Sequence, residues 1–266
     1  MNTIKSRLIE IKYSRITLAL TFAYSVLWIP PTAALEANPA EVKSSRLSLG
    51  IGAAVVQKAY RDIDPEVLPI PIISYENRWL DVSVPRVDLK IYSTDSFSMR
   101  LRARYAGDGY DADDSPFLQG MADRKGSIWA GGAMTYDTTF ARLSAEVLAD
   151  MSGYSEGYRA KLAIDRRFSS GAFGITPRLG IEWVDSKFVD YYYGVKSAET
   201  RPGREFYEGK STANVDIGVR LDYRPAVRHM LFIDAGATLF GSAIKDSPLV
   251  DSSTQTMLGI GYVYRF

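Results

Sequence analysis

The sequence contains no cysteine and a single histidine, His229, among its 266 residues. The absence of cysteine excludes disulfides, thiolate metal sites and cysteine nucleophiles, and one histidine cannot form a multi-histidine metal centre. Charge of one sign is also lacking, because 32 Lys and Arg stand against 31 Asp and Glu. So balanced a chain gives no electrostatic reason to expect nucleic acid as a partner. We therefore expect no cofactor, no resident metal ion and no nucleic acid.

Long hydrophobic runs are lacking except near the start. Residues 16–29 are apolar; they follow a basic segment and precede two prolines and a group of small residues. This order is typical of a cleaved secretory signal peptide. As a helix, the run would rise about 21 Å, which is short of the roughly 30 Å hydrocarbon core, so a membrane anchor is the weaker interpretation. We predict a signal peptide over residues 1–34, with cleavage after Ala34 or Ala37.

The rest of the chain alternates between apolar and small or charged residues with a period of two. At the C-terminus one face carries Thr256, Leu258, Ile260, Tyr262, Tyr264 and Phe266, and the other Met257, Gly259, Gly261, Val263 and Arg265. Similar runs of about 10 residues recur, the length that crosses a bilayer at a tilt near 45°. A face rich in glycine and charge suits a narrow lumen. The pattern predicts an all-β, transmembrane, antiparallel up-and-down barrel as a single domain over residues 38–266.

The connections between these runs alternate in length. Short turns are predicted at 93–95, 138–139, 168–172 and 224–228, and long loops at 106–126, 185–210 and 241–254. Outer-membrane barrels have short periplasmic turns and long outside loops. If the last strand ends in the periplasm, the stretch 78–92 must hold an even number of strands, and Pro85 divides it. We therefore predict twelve strands in the outer membrane of a Gram-negative bacterium, with ten strands as the alternative.

The lumen-facing positions of these strands carry both acids and bases. Two interpretations are open: paired charges that fill a narrow lumen, which we prefer, or a polar channel with a mild excess of base. The predicted lumen charges are Arg100, Arg102, Arg104, Arg142, Glu146, Arg159, Lys161, Asp165, Arg178, Glu182, Asp216, Arg220, Asp222 and Asp234.

Aromatic residues gather in the longest loop and at the C-terminus. The loop residues suit contact with another protein, or could equally fold inward as a plug; they are Phe188, Tyr191, Tyr192, Tyr193, Phe206 and Tyr207. Tyr262, Tyr264 and Phe266 end an alternating aromatic face, the kind of end that barrel assembly machinery recognises. We predict that these three residues form the assembly signal.

Catalytic machinery is poorly represented. His229 is expected at the periplasmic rim, and no serine lies within three positions of it. The loop carboxylates Asp108, Asp111, Asp113 and Asp114 lack the order of an EF-hand. We therefore expect no catalytic residue and no enzyme activity.

Five short strings, in order, resemble the MipA/OmpV family of outer-membrane proteins. They lie at residues 50–54, 68–76, 118–124, 190–195 and 246–250. The resemblance implies a scaffold that brings a lytic transglycosylase and a murein synthase together. Its alternatives are a narrow porin-like channel or an adhesin, and a lipid-modifying barrel enzyme is the least favoured. The further partners expected are outer-membrane lipid, lipopolysaccharide and, during insertion, the barrel assembly machinery.

Overall fold

The structure is a computed structural model that describes residues 45–266. The predicted signal peptide and both of its proposed cleavage positions lie outside the described residues. No helix within residues 45–266 is long and apolar enough to cross a membrane. The strands are β1 Arg46–Gln57, β2 Glu66–Glu76, β3 Leu80–Ser83, β4 Arg86–Ser93, β5 Phe97–Ala106, β6 Ser127–Asp137, β7 Arg142–Asp150, β8 Tyr158–Asp165, β9 Phe168–Ser170, β10 Phe173–Val184, β11 Thr212–Ala226, β12 His229–Leu239 and β13 Thr254–Arg265. The α-helices are α1 Ser186–Tyr193 and α2 Ser242–Lys245, and two 3-10 turns span Ala112–Asp114 and Ser197–Glu199.

The strands form one antiparallel sheet that closes on itself, since β1 pairs with both β2 and β13. The segments β8 and β9 pair with the same edge of β10, so they act as one interrupted strand. Thirteen segments therefore build a wall of twelve strands, which confirms the predicted barrel. The stretch 78–92 does divide at Pro85, into β3 and β4. We call the two ends of the barrel the short-turn end and the long-loop end.

Two of the predicted turns are shorter than expected. Residues 168–170 belong to β9, and the hairpin turns at 171–172, where Gly171 has a φ of 56° that favours glycine. Likewise β11 continues to Ala226, and its turn shrinks to 227–228. The backbone N–H of Arg224 donates to the Ala172 carbonyl at 2.8 Å. Hydrogen bonding between neighbouring hairpins thus extends the sheet into residues whose composition predicts turns.

The two faces of the wall differ as the alternation predicts. On β11, Ile217 and Leu221 are exposed, whereas Arg220 and Asp222 between and beside them are buried in the barrel. Ile51 on β1 shows the extreme, with 73% of its surface exposed. An apolar outer face is the one that contacts lipid.

The interior has an apolar side and a charged side. The apolar side lies on β1, β2, β12 and β13 and consists of Ala54, Val56, Ile70, Ile72, Met230, Phe232, Met257 and Val263. Here Gly261 lies against the ring of Phe232, and a Cβ at this position would come within 2.5 Å of that ring. Glycine on the lumen face therefore makes room for a large side chain of the neighbouring strand.

The wall has a gap between β2 and the long-loop end of β5. The hairpin of β3 and β4 is short, and β2 pairs with β3 only through residues 74–76. The Ile73 carbonyl accepts from the Val84 N–H at 3.1 Å, so odd-numbered residues of β2 direct their backbone groups to this edge. Within residues 45–266, no strand pairs with that edge above Ile73. Pro69 and Pro71 lie there and carry no N–H.

Candidate functional site: a charged lumen beneath a loop cap

The charged side of the lumen begins with a buried group of ions on β4, β5 and β7. Arg102 donates from Nε and Nη2 to the two carboxylate oxygens of Asp88, each at 2.8 Å. Its Nη1 donates to Glu146 at 2.5 Å, and Arg104 reaches the other oxygen of Glu146 at 3.2 Å. Asp88 is fully buried. Charges that are removed from water require such partners.

The same network extends toward the long-loop end. Arg104 Nη2 lies 3.7 Å from Glu182 Oε1, and Arg159 donates to both oxygens of Glu182, at 3.0 and 2.9 Å. Arg159 Nη1 also donates to Asp108 at 2.9 Å. The complete network is electrically neutral; its bases are Arg86, Arg100, Arg102, Arg104 and Arg159, and its acids are Asp81, Asp88, Asp108, Glu146 and Glu182.

A second set of pairs lies on β8, β10, β11 and β12. Arg178 and Arg220 share Asp234, which is fully buried, and Arg220 Nε donates to it at 2.7 Å. Lys161 pairs with Asp216, which also accepts from the Thr238 hydroxyl at 2.6 Å. The pairs Arg178–Asp234 and Lys161–Asp216 each reach across an intervening strand of the wall, β11 and β10 respectively.

All fourteen predicted lumen charges lie on the inner face, and among those that form ion pairs the side chain of Arg142 is the most exposed, at 23%. Arg142 pairs with Asp137 at 2.6 Å near the short-turn end. Asp165 is buried, and its Oδ1 has no hydrogen bond among the described residues. Asp222 binds Arg167 and Arg224.

Sequence reasoning missed several members of these networks: Asp81, Arg86, Asp88, Asp108, Asp137 and Arg167. The strand β3, with four residues, is too short for a clear alternation. Asp108 lies in a predicted loop, and Arg167 lies next to a predicted turn, so strand alternation gives no direction for either side chain. The alternation of Arg86 and Asp88 with apolar residues is the one signal that could have placed two of them.

The four longest connections pack together over the long-loop end. We call this structure the loop cap; it comprises residues 58–65, 107–126, 185–211 and 240–253, and it shares a hydrophobic core with the ends of the strands. Helix α1 lies in that core, and its first turn is capped by Asp185, which accepts from the Phe188 N–H at 2.9 Å. Tyr192 on α1 is fully buried, and its hydroxyl donates to the Lys125 carbonyl at 3.1 Å.

Tyr60 connects three of the loops. Its hydroxyl lies 3.0 Å from the Asp108 carbonyl and 3.2 Å from that of Tyr192. Its ring packs 4.8 Å from the ring of Tyr110 and 5.2 Å from that of Tyr193. Burial raises the pKa of all four tyrosines above the ordinary value, because the phenolate would lose its hydration.

An ion pair links the two longest loops. Arg124 Nη2 donates to the carboxylate oxygens of Glu199 at 3.0 and 2.8 Å. Burial would raise the pKa of Glu199, but the backbone N–H groups of Ala122 and Lys196, together with Arg124, outweigh it and lower that pKa. The ionised pair therefore holds the cap together at neutral pH.

Three of the aromatic contact candidates are not accessible. Phe188, Tyr192 and Tyr193 are at most 5% exposed, because their side of α1 packs into the hydrophobic core of the cap. This corrects the expectation that these residues form an exposed contact surface. They instead fold inward, which is the alternative that the sequence left open. Tyr191 and Tyr207 are partly buried, whereas Phe206 is 57% exposed.

The remaining titratable candidates have local partners. Asp108 points to Arg159 and away from the other loop carboxylates. Burial raises the pKa of Asp111, and the neighbouring carboxylates of Asp114 and Asp123 raise it further. His229 lies at the short-turn end, where its Nδ1 is 2.8 Å from the Tyr262 hydroxyl. The ring of Tyr264 lies between His229 and Phe266, at 5.2 and 4.9 Å.

A closed barrel with a lipid-facing apolar surface, a charged interior and long loops at one end defines an outer-membrane β-barrel protein. Residues 49–266 match the family described as MltA-interacting protein MipA. The chain therefore belongs to this family, as its five sequence strings suggested, and lies in the outer membrane of a Gram-negative bacterium.

Several curated relatives are similar over most of their length. The outer membrane protein YiaT of Escherichia coli (strain K12) is 26% identical over 230 residues, which cover 85% of this chain and 94% of that protein. The MltA-interacting protein of the same strain is 28% identical over 226 residues, or 83% and 90% of the two chains. The outer membrane protein OmpV of Vibrio cholerae is 29% identical over 168 residues, or 60% and 63%.

Proposed function

We propose that this protein is an interaction barrel that binds a murein enzyme at the periplasmic side of the outer membrane. The observation that carries the proposal is the loop cap, which packs a hydrophobic core over the long-loop end. Below the cap, a neutral ion network crosses the lumen from Arg86 to Asp108. An interior so occupied supports a binding role more than free diffusion.

The class of partner follows from the relatives. One of them is named as a protein that interacts with MltA, and this similarity supports a lytic transglycosylase, together with a murein synthase, as partners here. These enzymes act on the cell wall, and the short-turn end is the one that faces it. The residues accessible there include Thr139 and Val227, which are exposed in two different turns.

Crosslinking in intact cells tests the proposal. A photoreactive amino acid would replace Thr139 or Val227 in the short turns, with Phe206 in the loop cap as the matched exposed control. We expect adducts with a lytic transglycosylase from the two turns and none from Phe206. Absence of such adducts from both turns, in cells that contain the folded barrel, would contradict the proposal.

A narrow channel is the second candidate, and it is favoured by the gap between β2 and β5 and by the polar side of the lumen. Planar bilayer recordings separate the two functions. The interaction barrel should show no steady conductance in its wild-type form, whereas a channel should conduct with the loop cap intact. The expectation that the protein is not an enzyme belongs to the same proposal, and unchanged lipid A and phospholipid profiles in His229→Ala cells would support it.

A further inference from the structure

Four arginines lie together at the short-turn end, and two of them bind one carboxylate, Asp222. Arg167 donates from Nη2 to Asp222 at 2.7 Å, and Arg224 Nε lies 3.3 Å from the same carboxylate. Arg265 on β13 lies within electrostatic reach of Asp222, Arg167 and Arg224, and of Arg46 on the adjacent strand β1. We call these four residues and Asp222 the arginine cluster. It stands where three elements meet: the β8–β9 interruption, the end of β11, and the β13–β1 pair.

The cluster is not neutral, unlike the ion network above it. Four arginines and one aspartate give 4 − 1 = +3, and Asp222, only 3% exposed, is already engaged by Arg167 and Arg224. Within residues 45–266, no carboxylate lies within 4.0 Å of Arg265. Like charges confined at a barrel mouth repel one another, and an anion would relieve that repulsion.

An unused hydrogen-bond donor in the cluster also favours a bound anion. Arg265 Nη2 is a buried atom that has no hydrogen bond among the described residues. A buried donor without an acceptor destabilises the fold, more so when it is charged. Asp222 holds the guanidinium groups of Arg167 and Arg224 in place, so that their remaining N–H groups are preorganised. Guanidinium forks match the geometry of carboxylates and phosphates.

The cluster is accessible from the side opposite to the loop cap. Arg46 is exposed, and Arg167, Arg224 and Arg265 are half-buried on the inner face of the mouth. A ligand can therefore approach from the periplasm without passing the buried ion network or the cap. Charges on the inner face of a barrel mouth suit a small group or the end of a flexible chain better than a flat protein surface.

We propose that the arginine cluster is an oxyanion-binding site that takes a carboxylate or a phosphate group from the periplasmic side. The group has two possible sources, a free inorganic oxyanion or the carboxylates of a murein stem peptide. The site does not depend on the proposed protein partner, because it can be measured with the purified barrel alone.

Calorimetric titration of the purified barrel in detergent micelles tests the site, with inorganic phosphate and a soluble murein tetrapeptide as the two probes. We expect the wild-type protein to bind at least one of them and Arg265→Gln to weaken that binding about tenfold. Arg78→Gln is the control, since Arg78 is exposed in the β2–β3 turn at the same end, where its guanidinium packs on Trp79. It should bind as the wild type does.

The comparison of probes identifies the source. Tighter binding of the tetrapeptide indicates stem peptide, and equal or tighter binding of phosphate indicates a free oxyanion. Heat-modifiable gel mobility would show whether Arg265→Gln is folded. If it is not, Arg46→Gln at the exposed edge of the cluster replaces it, with a several-fold loss expected. No binding of either probe, or binding that is unchanged in the folded variants, would overturn the proposal.

Discussion

Arg159 and Glu182 face each other inside the barrel on the neighbouring strands β8 and β10. Two N–H···O bonds of 3.0 and 2.9 Å join them, and Arg159 is only 2% exposed. The same guanidinium binds Asp108 in the loop cap and lies 5.1 Å from the centre of the Trp129 ring. This arginine therefore connects the wall, the lumen network and the cap, so damage to one should be transmitted to the others.

Replacing Arg159 by Leu should strongly destabilise the barrel. The change leaves Glu182 and Asp108 buried without their partner, which costs about 3–5 kcal/mol in comparable cases. Guanidinium unfolding in detergent micelles or liposomes measures the difference. Arg142→Leu is the control, because its pair with Asp137 is more exposed, and such pairs contribute less than about 1 kcal/mol. Equal losses in both variants would show that the Arg159 network is not the stabilising element.

Replacing Ile217 by Arg tests the lipid-facing register. Ile217 is 47% exposed on the outer face of β11, and an arginine near the bilayer midplane costs about 2–4 kcal/mol. Val227→Arg, in the turn after β11, should be nearly neutral because the turn lies outside the hydrocarbon. Unfolding titrations in liposomes compare the two. A neutral Ile217→Arg would mean that the register of β11 is shifted by one residue.

The loop cap should lose stability at high pH. Burial raises the pKa of Tyr60, Tyr110, Tyr192 and Tyr193, so each favours folding most below its unfolded pKa of about 10. That contribution declines as the pH rises from there toward the folded values. Ultraviolet absorbance should show exposed tyrosines ionising first and these four only when the cap opens. A single transition for all tyrosines of the barrel near the unfolded pKa, with the cap intact, would contradict this assignment.

The prolines of β2 should protect the open edge of the wall. Replacing Pro69 and Pro71 together by Val restores two backbone donors on an edge that lacks a partner strand, and such edges promote association. We expect more detergent-stable dimer by cross-linking and size-exclusion chromatography. Pro177→Val is the control, because Pro177 lies in β10 opposite the β8–β9 interruption, where its carbonyl accepts from the Arg166 N–H, and not at the open edge. A double variant as monomeric as the control would show that the gap is covered by other means.

Deletion of Phe266 should lower the yield of barrel in the outer membrane. Phe266 is 67% exposed at the end of β13 and packs on Tyr264, so its loss removes the terminal aromatic of the predicted assembly signal. The quantity to measure is heat-modifiable protein in isolated outer membranes. Phe206→Ala removes an equally exposed aromatic from the loop cap and should leave the yield unchanged. Normal assembly after the deletion would show that the signal lies elsewhere in β13.

The period of the sequence determined the barrel, its outer face and the number of its strands. Alternation is a local property, and a bilayer imposes the same length and the same apolar face on each strand, so one run can be read without the others. Parity of the strand count required an even number of strands in 78–92, and the missing N–H of Pro85 marked the break between them. The orientation of the aromatic loop residues had no such constraint, and only the packing of α1 in the cap buried Phe188, Tyr192 and Tyr193.

The pairing of the lumen charges was decided by tertiary structure alone. Arg178 pairs with Asp234, and Arg167 with Asp222, across more than 50 residues of sequence. The register and tilt of the strands determine which inward-facing side chains lie at the same height in the lumen. The sequence shows that the numbers of acids and bases are nearly equal. It does not show at which place in the lumen the bases outnumber the acids. That the excess of base is concentrated around Asp222 follows from the interruption between β8 and β9, which turns Arg167 inward beside strands that are distant in the chain.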